Sequence, residues 1–209
     1  MIRLALGKGR NLAVTLAAFR AAGIELGGFD PATDRRLKIV LPDCGIEVLL
    51  LKDADLPLYL AHGVADLGVV GSDVLEESDG DLLVPLRLHG GRARLSFIGR
   101  PGALPTAGSQ VRLATKYPVI AARAVARRSW GAEILPLAGS VELAPLLGLA
   151  EIGLDVVQTG RTLAENGLVE LEVVAEVAPC VAVNRASFLG QRARINQVLG
   201  RLEAAGVAS

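Results

Sequence analysis

The hydrophobic residues of this chain fall into two alternating patterns, short continuous apolar runs and stretches with helical spacing. Short apolar runs between turn residues are typical of buried strands, and apolar residues three or four positions apart predict amphipathic helices. In the N-terminal part, the runs predict strands over 2–6, 37–41, 47–52 and 66–70. The helical spacing predicts helices over 12–22 and 55–62 and a short helix that begins at Ser72. Strands that alternate with helices predict an α/β fold with a mainly parallel sheet.

A second group of elements begins near Arg92 and follows the same alternation. The predicted strands cover 94–99, 111–115, 133–137, 154–157, 172–178 and 180–184. The predicted helices cover 119–130, 143–147 and 186–205, the last being one long C-terminal helix. We place the domain crossings at about 90–92 and 178–179. Domain I is then discontinuous (1-91 plus 179-209), domain II covers 92-178, and a ligand cleft is expected between the two lobes.

Composition narrows the class of protein. The chain has 209 residues, of which 51% are hydrophobic, enough for one large or two small domains with a substantial core. The formal net charge is +0 and no long basic block occurs, so a nucleic-acid partner is not expected. We find no signal-peptide core and no apolar run of membrane-spanning length, so no membrane association is expected. Cys44 and Cys180 are far apart and lack partners for a disulfide framework or zinc site, which indicates a reducing, cytoplasmic location.

The stretch 155–163 carries the clearest chemical signal, because it is predicted as a buried strand, a Thr-Gly turn and a helix. Unpaired backbone N–H groups and partial positive charge at a helix N-terminus favour phosphate binding. Gly160 permits a close approach, and Thr159 and Thr162 add hydroxyl donors. Asp155 is placed to meet sugar hydroxyls or a bound magnesium ion, so the segment predicts a phosphorylated-sugar site. The same residues are also typical of an ordinary strand-to-helix turn with Thr as the N-cap.

A second candidate site, Gly7-Lys8-Gly9-Arg10, follows the first predicted strand. Ligands of open α/β sheets gather at the carboxyl ends of strands. Lys8 supplies a point charge, and the Arg10 guanidinium can bind two phosphate oxygens at once. The segment lacks the third glycine of a dinucleotide fingerprint and does not match a P-loop. A solvated turn with incidental charges explains it equally well.

Other polar residues stand near predicted strand ends and are candidates for the rim of the same cleft. They are Arg35, Lys52, Asp73, Lys116, Tyr117 and Glu142. Arg35 and Arg36 can also protect an edge strand, which their spacing alone favours, and Glu142 can complement a helix dipole. Asp55 and Ser72 can be helix caps. Neither a Ser/His/Asp grouping nor metal-ligand spacing occurs, which disfavours a hydrolase triad or a zinc enzyme.

Five segments together resemble the short form of ATP phosphoribosyltransferase, the first enzyme of histidine biosynthesis. They are LGKGR at 6–10, DLGVVGSDVL at 66–75, ATKYP at 114–118, GSVELAP at 139–145 and the stretch 155–168. Each is weak alone, but they occur in the family's order across nearly the whole chain. The last two together are close to diagnostic.

The resemblance implies a two-lobed fold like that of the periplasmic binding proteins (type II), with a ligand cleft between the lobes. It implies transfer of the 5-phosphoribosyl group from phosphoribosyl pyrophosphate to N1 of ATP, with release of pyrophosphate. The turn Thr159-Gly160-Arg161-Thr162 is then expected to hold the 5-phosphate. Arg10 and Arg35 are expected to be catalytic and to meet pyrophosphate and nucleotide phosphates from the opposite lobe. Mg²⁺ is expected to arrive with the substrates and not on a metal site of the protein.

The resemblance also implies an assembly. The expected form is a homodimer within a hetero-oligomer that contains a separate regulatory subunit similar to histidyl-tRNA synthetase. Two positions depart from the family pattern: Gln158 stands where an acidic or small residue is common, and Gly153 where a β-branched residue is usual. The second departure is expected to affect only the local turn. The rival interpretations are a non-catalytic solute- or nucleotide-binding module of the same bilobal fold, and a different phosphoribosyltransferase.

Overall fold

The computed structural model describes residues 1–27, 35–78 and 80–209, and its chain divides into two compact units. Unit 1 consists of Met1–Gly91 and Ala178–Ser209, and unit 2 of Arg92–Val177. The chain thus leaves unit 1 after Gly91 and returns to it after Val177. None of the helices in the described ranges is long and apolar enough to cross a membrane.

Strands and helices alternate along both units. The strands are β1 (Ile2–Gly7), β2 (Lys38–Leu41), β3 (Ile46–Leu51), β4 (Leu67–Gly71), β5 (Leu82–Arg87), β6 (Ala93–Gly99), β7 (Gln110–Thr115), β8 (Gly131–Pro136), β9 (Ile152–Val157), β10 (Val169–Val177) and β11 (Pro179–Asn184). The helices are α1 (Leu12–Ala21), α2 (Leu56–Ala61), α3 (Ser72–Glu77), α4 (Pro118–Arg127), α5 (Leu143–Leu147), α6 (Arg161–Glu165), α7 (Arg185–Gly190) and α8 (Arg192–Ala204).

The sheet of unit 1 has the strand order β2-β3-β1-β4-β11-β5. Strand β1 lies at its centre and is parallel to β3 and β4. Both faces of β1 are covered, because Leu4 and Leu6 pack in one apolar cluster and Ala5 in another. Burial on both faces explains why this strand is a continuous apolar run in the sequence.

The prediction of a mainly parallel sheet is wrong, because both sheets are mixed. In unit 1, β2 is antiparallel to β3, and β11 is antiparallel to β4 and β5. The β2–β3 connection is a short turn at Pro42–Cys44, and so short a link joins only antiparallel neighbours. Hydrophobic periodicity identifies strands but contains no information about their direction.

Strand β5 was missed by the sequence pattern because Pro85 interrupts it. Proline lacks an N–H group and is confined to edge strands and bulges. Here β5 is the edge strand of the sheet, and its pairing with β11 shifts register between Val181 and Val183, whose partners are Leu86 and Leu83. Pro85 therefore lies at an irregularity on an edge, where its missing donor is tolerated.

The sheet of unit 2 has the strand order β10-β6-β9-β7-β8. Strand β7 is parallel to β8 and β9, whereas β6 is antiparallel to β9 and β10. Gly153 lies inside β9 and not in a turn, which corrects the expectation for that position. A Cβ atom there would approach Val141 Cγ1 to 2.8 Å and Ile98 Cγ1 to 3.0 Å. A side chain at Gly153 would thus require Val141 or Ile98 to shift on this closely packed face of the sheet.

The predicted single C-terminal helix is two helices, α7 and α8, which Gln191 separates. The break follows Gly190, the residue type with the poorest intrinsic preference for a helix after proline. Helix α7 begins at a well-formed cap, since the Asn184 side chain accepts a hydrogen bond from the Ser187 N–H at 2.8 Å. Helix α8 buries Ile195 and Leu202 in the main core of unit 1.

Candidate active site

The predicted site residues of unit 1 lie at one edge of its sheet. Strands β1, β3 and β4 are parallel, so their carboxyl ends meet at the same edge. Lys8 follows β1, Lys52 follows β3, and Asp73 lies in the first turn of α3 directly after β4. Lys8 and Lys52 are exposed, and the Lys8 N–H donates to the Leu51 carbonyl at 3.0 Å. This is the edge at which α/β sheets bind ligands.

Arg10 and Asp73 form an ion pair at this edge. The Nη2 atom of Arg10 lies 3.4 Å from Asp73 Oδ2, and the side chains are 27% and 2% exposed. The Arg10 Nε–H also approaches Asn11 Oδ1 at 3.4 Å. Asp73 is thus buried next to a guanidinium that remains partly open to solvent, and its carboxylate orients a cation that can still meet an anionic ligand.

Asp53 also belongs to this cluster. The position of the segment 52–55 after a strand made it a candidate for the cleft rim, but the sequence did not predict the contacts of this carboxylate. A Cβ atom at Gly7 would lie 1.6 Å from Asp53 Oδ1, and one at Gly9 would lie 2.0 Å from Oδ2. The carboxylate therefore rests directly on the backbone of the Gly7–Gly9 turn, where the Gly9 N–H is placed to stabilise its charged form. Burial raises the pKa of the Asp53 carboxyl, the Gly9 N–H and Arg10 oppose this rise, and the Asp73 charge adds to it.

This contact changes the interpretation of the Gly-Lys-Gly turn. The Lys8 N–H donates to the Leu51 carbonyl, and the Gly9 N–H faces the Asp53 carboxylate, so both groups are engaged within the protein. The turn thus offers a ligand the side chains of Lys8 and Arg10, and the two glycines make room for Asp53. The sign of this contact in the sequence was the pair of glycines itself. Neither glycine has a positive φ, so the backbone conformation does not require glycine there, whereas the close approach of Asp53 does.

Arg35 reaches the same edge along a different strand. Because β2 is antiparallel to β3, its amino end lies where β3 ends, with Lys38 opposite Leu49. Arg35 is exposed and precedes β2 by three residues. Its neighbour Asp34 lies outside the described residues. The structure thus brings Arg35 to the same edge as Arg10, where both are cations that can meet an anionic ligand.

A groove of about 430 Å³ adjoins Lys8, Gly9 and Arg10. Its other lining residues, all on α1, are Leu12, Ala13, Leu16, Ala17 and Arg20. Every charged residue of this lining is a cation. The groove therefore suits an anionic ligand with an apolar portion.

In unit 2, the predicted residues again lie at the carboxyl ends of parallel strands. Strands β8, β7 and β9 end at one edge, where they are followed by Glu142, Lys116 and the turn at 158–160. The Nζ atom of Lys116 lies 3.1 Å from Asp155 Oδ1, and the same oxygen accepts a hydrogen bond from the Val156 N–H at 2.8 Å. The structure thus joins two residues that were predicted from separate motifs.

The turn after β9 has the geometry of a helix start. Gly160 is the N-cap residue of α6 and has a φ of 73°, in the left-handed region that favours glycine. Thr159 and Thr162 are exposed, and Thr159 Oγ1 lies 3.4 Å from the Arg161 N, a long contact for a cap. Arg161 pairs with Glu165 on the outer face of the helix, at 2.8 Å. Strong side-chain capping is therefore not the main role of Thr159 in the described structure.

Thr115 fixes the position of Lys116, although sequence reasoning assigned it no role. Its buried hydroxyl donates to the Leu154 carbonyl at 2.8 Å and accepts from the Tyr117 N–H at 2.9 Å. It thereby ties the end of β7 to β9. Tyr117 is 9% exposed and packs in the core of unit 2, so its ring offers little aromatic surface to a ligand. Glu142 is partly exposed at the N-cap position of α5 and makes no side-chain capping bond.

The predicted capping role agrees with the position of Asp55 but not with that of Ser72, since Gly71 is the N-cap residue of α3. Asp55 stands at the N-cap of α2 without a side-chain hydrogen bond. Ser72 is the first residue of α3, and its hydroxyl accepts the Ala178 N–H at 3.1 Å, which fastens the returning chain to unit 1. Within the described residues, no group of three or more His, Cys, Asp or Glu side chains is arranged to hold a metal ion.

Comparison with known proteins first defines the class. The sulphonate-binding protein SsuA from Escherichia coli aligns over 98% of this chain and 72% of its own, with a TM-score of 0.61 and 13% identity. The chain therefore has the two-unit α/β fold of the periplasmic binding proteins. The family follows from closer matches: the model of HisG, ATP phosphoribosyltransferase, matches residues 52–204. The chain belongs to the ATP phosphoribosyltransferase family.

Curated relatives match along nearly their whole length. The ATP phosphoribosyltransferase of Oceanobacillus iheyensis is 38% identical over 201 residues, 96% of either chain. That of Geobacillus kaustophilus is 42% identical over 204 residues, 98% of either chain. Among solved structures, a chain of the ATP phosphoribosyl transferase (HisG:HisZ) complex from Thermotoga maritima has a TM-score of 0.83 and 32% identity, over 98% of this chain and 97% of its own.

Proposed function

We propose that this chain transfers the 5-phosphoribosyl group of phosphoribosyl pyrophosphate to N1 of ATP and releases pyrophosphate, the first step of histidine biosynthesis. Family membership supports the reaction. The observation that supports the location is the edge of unit 2 where Lys116 and Asp155 pair beside the left-handed Gly160 turn. A carboxylate and a phosphate-binding turn at one strand end suit a phosphorylated sugar.

In this proposal, unit 2 binds phosphoribosyl pyrophosphate. The turn Thr159-Gly160-Arg161-Thr162 takes the 5-phosphate through backbone N–H groups and threonine hydroxyls. Asp155 accepts hydrogen bonds from the ribose hydroxyls, and Lys116 holds the carboxylate in place. Glu142 at the neighbouring strand end is a further hydrogen-bond acceptor for the ribose or the base.

Unit 1 supplies the cations. Arg10, oriented by Asp73, and Arg35 stabilise pyrophosphate as it leaves, and Lys8 and Lys52 add positive charge at the same edge. The groove along α1, whose charged lining residues are all cations, is the proposed place for nucleotide phosphates. Gly9 contributes the space that Asp53 occupies, and Tyr117 contributes to the core of unit 2.

The chemistry does not require a dedicated base on the protein. Adenine N1 is an uncharged nucleophile that carries no proton, and its lone pair forms the new bond to ribose C1 as the C1–O bond to pyrophosphate breaks. The enzyme's task is to align the substrates and stabilise the departing negative charge. Mg²⁺ enters as part of the substrates, bound to their phosphate oxygens, which are ligands that this ion prefers.

We further propose that the chain works in the cytoplasm as a homodimer within a hetero-oligomer. The solved relative from Thermotoga maritima is a HisG:HisZ complex, which supports a second type of subunit for this chain. That subunit is proposed to be regulatory and similar to histidyl-tRNA synthetase. Both cysteines are free, which is compatible with a reducing compartment.

The decisive experiment mixes the purified chain with ATP, phosphoribosyl pyrophosphate and Mg²⁺, with and without the regulatory subunit. Release of pyrophosphate together with N1-ribosylated adenine nucleotide is expected, and more of both with the partner. Binding of both substrates without product would instead indicate a non-catalytic binding module. Arg10→Ala should lower kcat by about 10²–10³ while it weakens ATP binding far less, by analogy with removal of an oxyanion donor. Equal losses in both would contradict the leaving-group role of Arg10.

A further inference from the structure

Two carboxylates, the buried Asp73 and the partly exposed Asp53, lie beside the turn that carries Arg10, and both rest on glycine backbone. A Cβ atom at Gly71 would lie 2.2 Å from Asp73 Oδ1, just as Cβ atoms at Gly7 and Gly9 would overlap the Asp53 oxygens. Asp73 pairs with the guanidinium directly. Asp53 lies against the turn that carries Arg10, where the Gly9 N–H stabilises its charged form. The two acids thus hold one cation by different routes.

We propose that Asp53 is a positioning residue for Arg10: its carboxylate fixes the Gly7–Gly9 turn and thereby sets the direction of the guanidinium. This inference rests on the proposed function, because it assumes that Arg10 stabilises the departing pyrophosphate. It assigns the two glycines to the accommodation of Asp53 and not to the approach of a substrate phosphate.

The geometry gives this contact a specific consequence. Arg10 directly follows Gly9, so the backbone of the turn controls where the Arg10 side chain begins. The Lys8 N–H bond to the Leu51 carbonyl and the Leu12 N–H bond to the Gly9 carbonyl anchor the two ends of the turn. Between them, the Asp53 carboxylate lies against Gly7 and Gly9 and is placed to hold the Lys8–Gly9 peptide. Without Asp53 this middle peptide loses its support, while the flanking peptides keep their hydrogen bonds. A displacement of about 1 Å in a catalytic group can cost up to about 10²-fold in rate.

The test compares Asp53→Ala and Asp53→Asn in steady-state kinetics of the full chain. Asp53→Ala should lower kcat by up to about 10²-fold and leave the KM for phosphoribosyl pyrophosphate nearly unchanged. Asp53→Asn should recover much of the loss, because its amide oxygen still accepts the Gly9 N–H. Asp55→Ala is the matched control, since Asp55 is an exposed acid nearby without a side-chain capping bond, and it should behave as wild type.

A double-mutant cycle separates positioning from general destabilisation. In an Arg10→Ala background, Asp53→Ala should cause no further loss of kcat, since the residue it positions is gone. An equal fold-loss in both backgrounds, or an Asp53→Ala enzyme as fast as wild type, would overturn the proposal. If wild type makes no product, or Arg10→Ala has no effect, the proposed function fails instead.

Gly9→Ala keeps the idea testable if Asp53→Ala does not fold. The new methyl group would overlap Asp53 Oδ2, so Gly9→Ala alone should lower kcat. A Gly9→Ala enzyme with the kcat of wild type would overturn the proposal.

Discussion

Replacing Gly160 by alanine separates backbone strain from ligand contact at the proposed phosphate turn. Gly160 has a φ of 73°, and a Cβ atom there would meet only Val157 Cγ1, at an ordinary 3.8 Å. The protein therefore has room for the methyl group. The remaining cost to folding is that of a left-handed L-residue, about 1–2 kcal/mol.

Gly148 provides a matched control in the same unit. It has a φ of 76°, and nothing lies within 4 Å of the position of a Cβ atom. Gly148→Ala should thus cost the same 1–2 kcal/mol or so in stability. Chemical unfolding can be followed by the fluorescence of Trp130, the single tryptophan of the chain, whose ring lies 5.1 Å from that of Phe97 in unit 2.

Only Gly160→Ala should weaken phosphoribosyl pyrophosphate binding. If the methyl group blocks one charge-assisted hydrogen bond to the 5-phosphate, the loss is about 1.5–3 kcal/mol, or about 10- to 100-fold in Kd by calorimetry. A Gly160→Ala affinity equal to that of Gly148→Ala would refute the phosphate role of this turn. A strong loss of affinity in both variants would show that strain alone explains the effect.

Three further predictions concern unit 2. Thr115→Val should destabilise unit 2 by about 2 kcal/mol, because two buried hydrogen bonds are lost. The control Thr106→Val, on the surface, should be nearly neutral, and equal costs in unfolding followed by Trp130 fluorescence would disprove this assignment. Lys116→Met should raise the KM for phosphoribosyl pyrophosphate several-fold, because Asp155 loses its partner at 3.1 Å, and an unchanged KM would remove Lys116 from the site. The hydrogen bonds from Arg94 hold the pKa of the Glu170 carboxyl below its usual range. The charged carboxylate therefore stabilises the fold above about pH 4.3, and this stabilisation is lost as pH falls through the folded-state pKa. Glu170→Gln should therefore lose less stability than wild type on acidification from about pH 5 to pH 3, and identical acid titrations would contradict the assignment.

The hydrophobic pattern of the sequence was sufficient to predict most strands and helices and the sheet edges at which the site residues lie. Apolar runs with two buried faces identified β1 and β4, and turns after them marked Lys8 and Asp73. Strand direction was not predictable, since a run of apolar residues is the same in both orientations. Pro85 concealed β5 because proline argues against a strand unless the edge position is already known.

The contacts of the site were harder to predict than its residues. Lys116 and Asp155 are 39 positions apart, and only the β7–β9 pairing shows that they meet. Asp53 was hidden for a similar reason, because its partners Gly7 and Gly9 lie on a different strand end. Tyr117 shows the opposite error: it belongs to a motif of the family, yet its ring is committed to the core.

The position of β11 has a consequence for how the protein is made. This strand lies between β4 and β5, although more than a hundred residues separate it from β4 along the chain. On the ribosome, the N-terminal segment emerges first but cannot complete its sheet until residue 184 has left the exit tunnel. Residues 92–177 form one continuous stretch and have all their strand partners earlier. Synthesis thus favours an order in which the inserted unit folds first, and the exposed flanks of β4 and β5 must be kept from pairing wrongly until the last strand arrives.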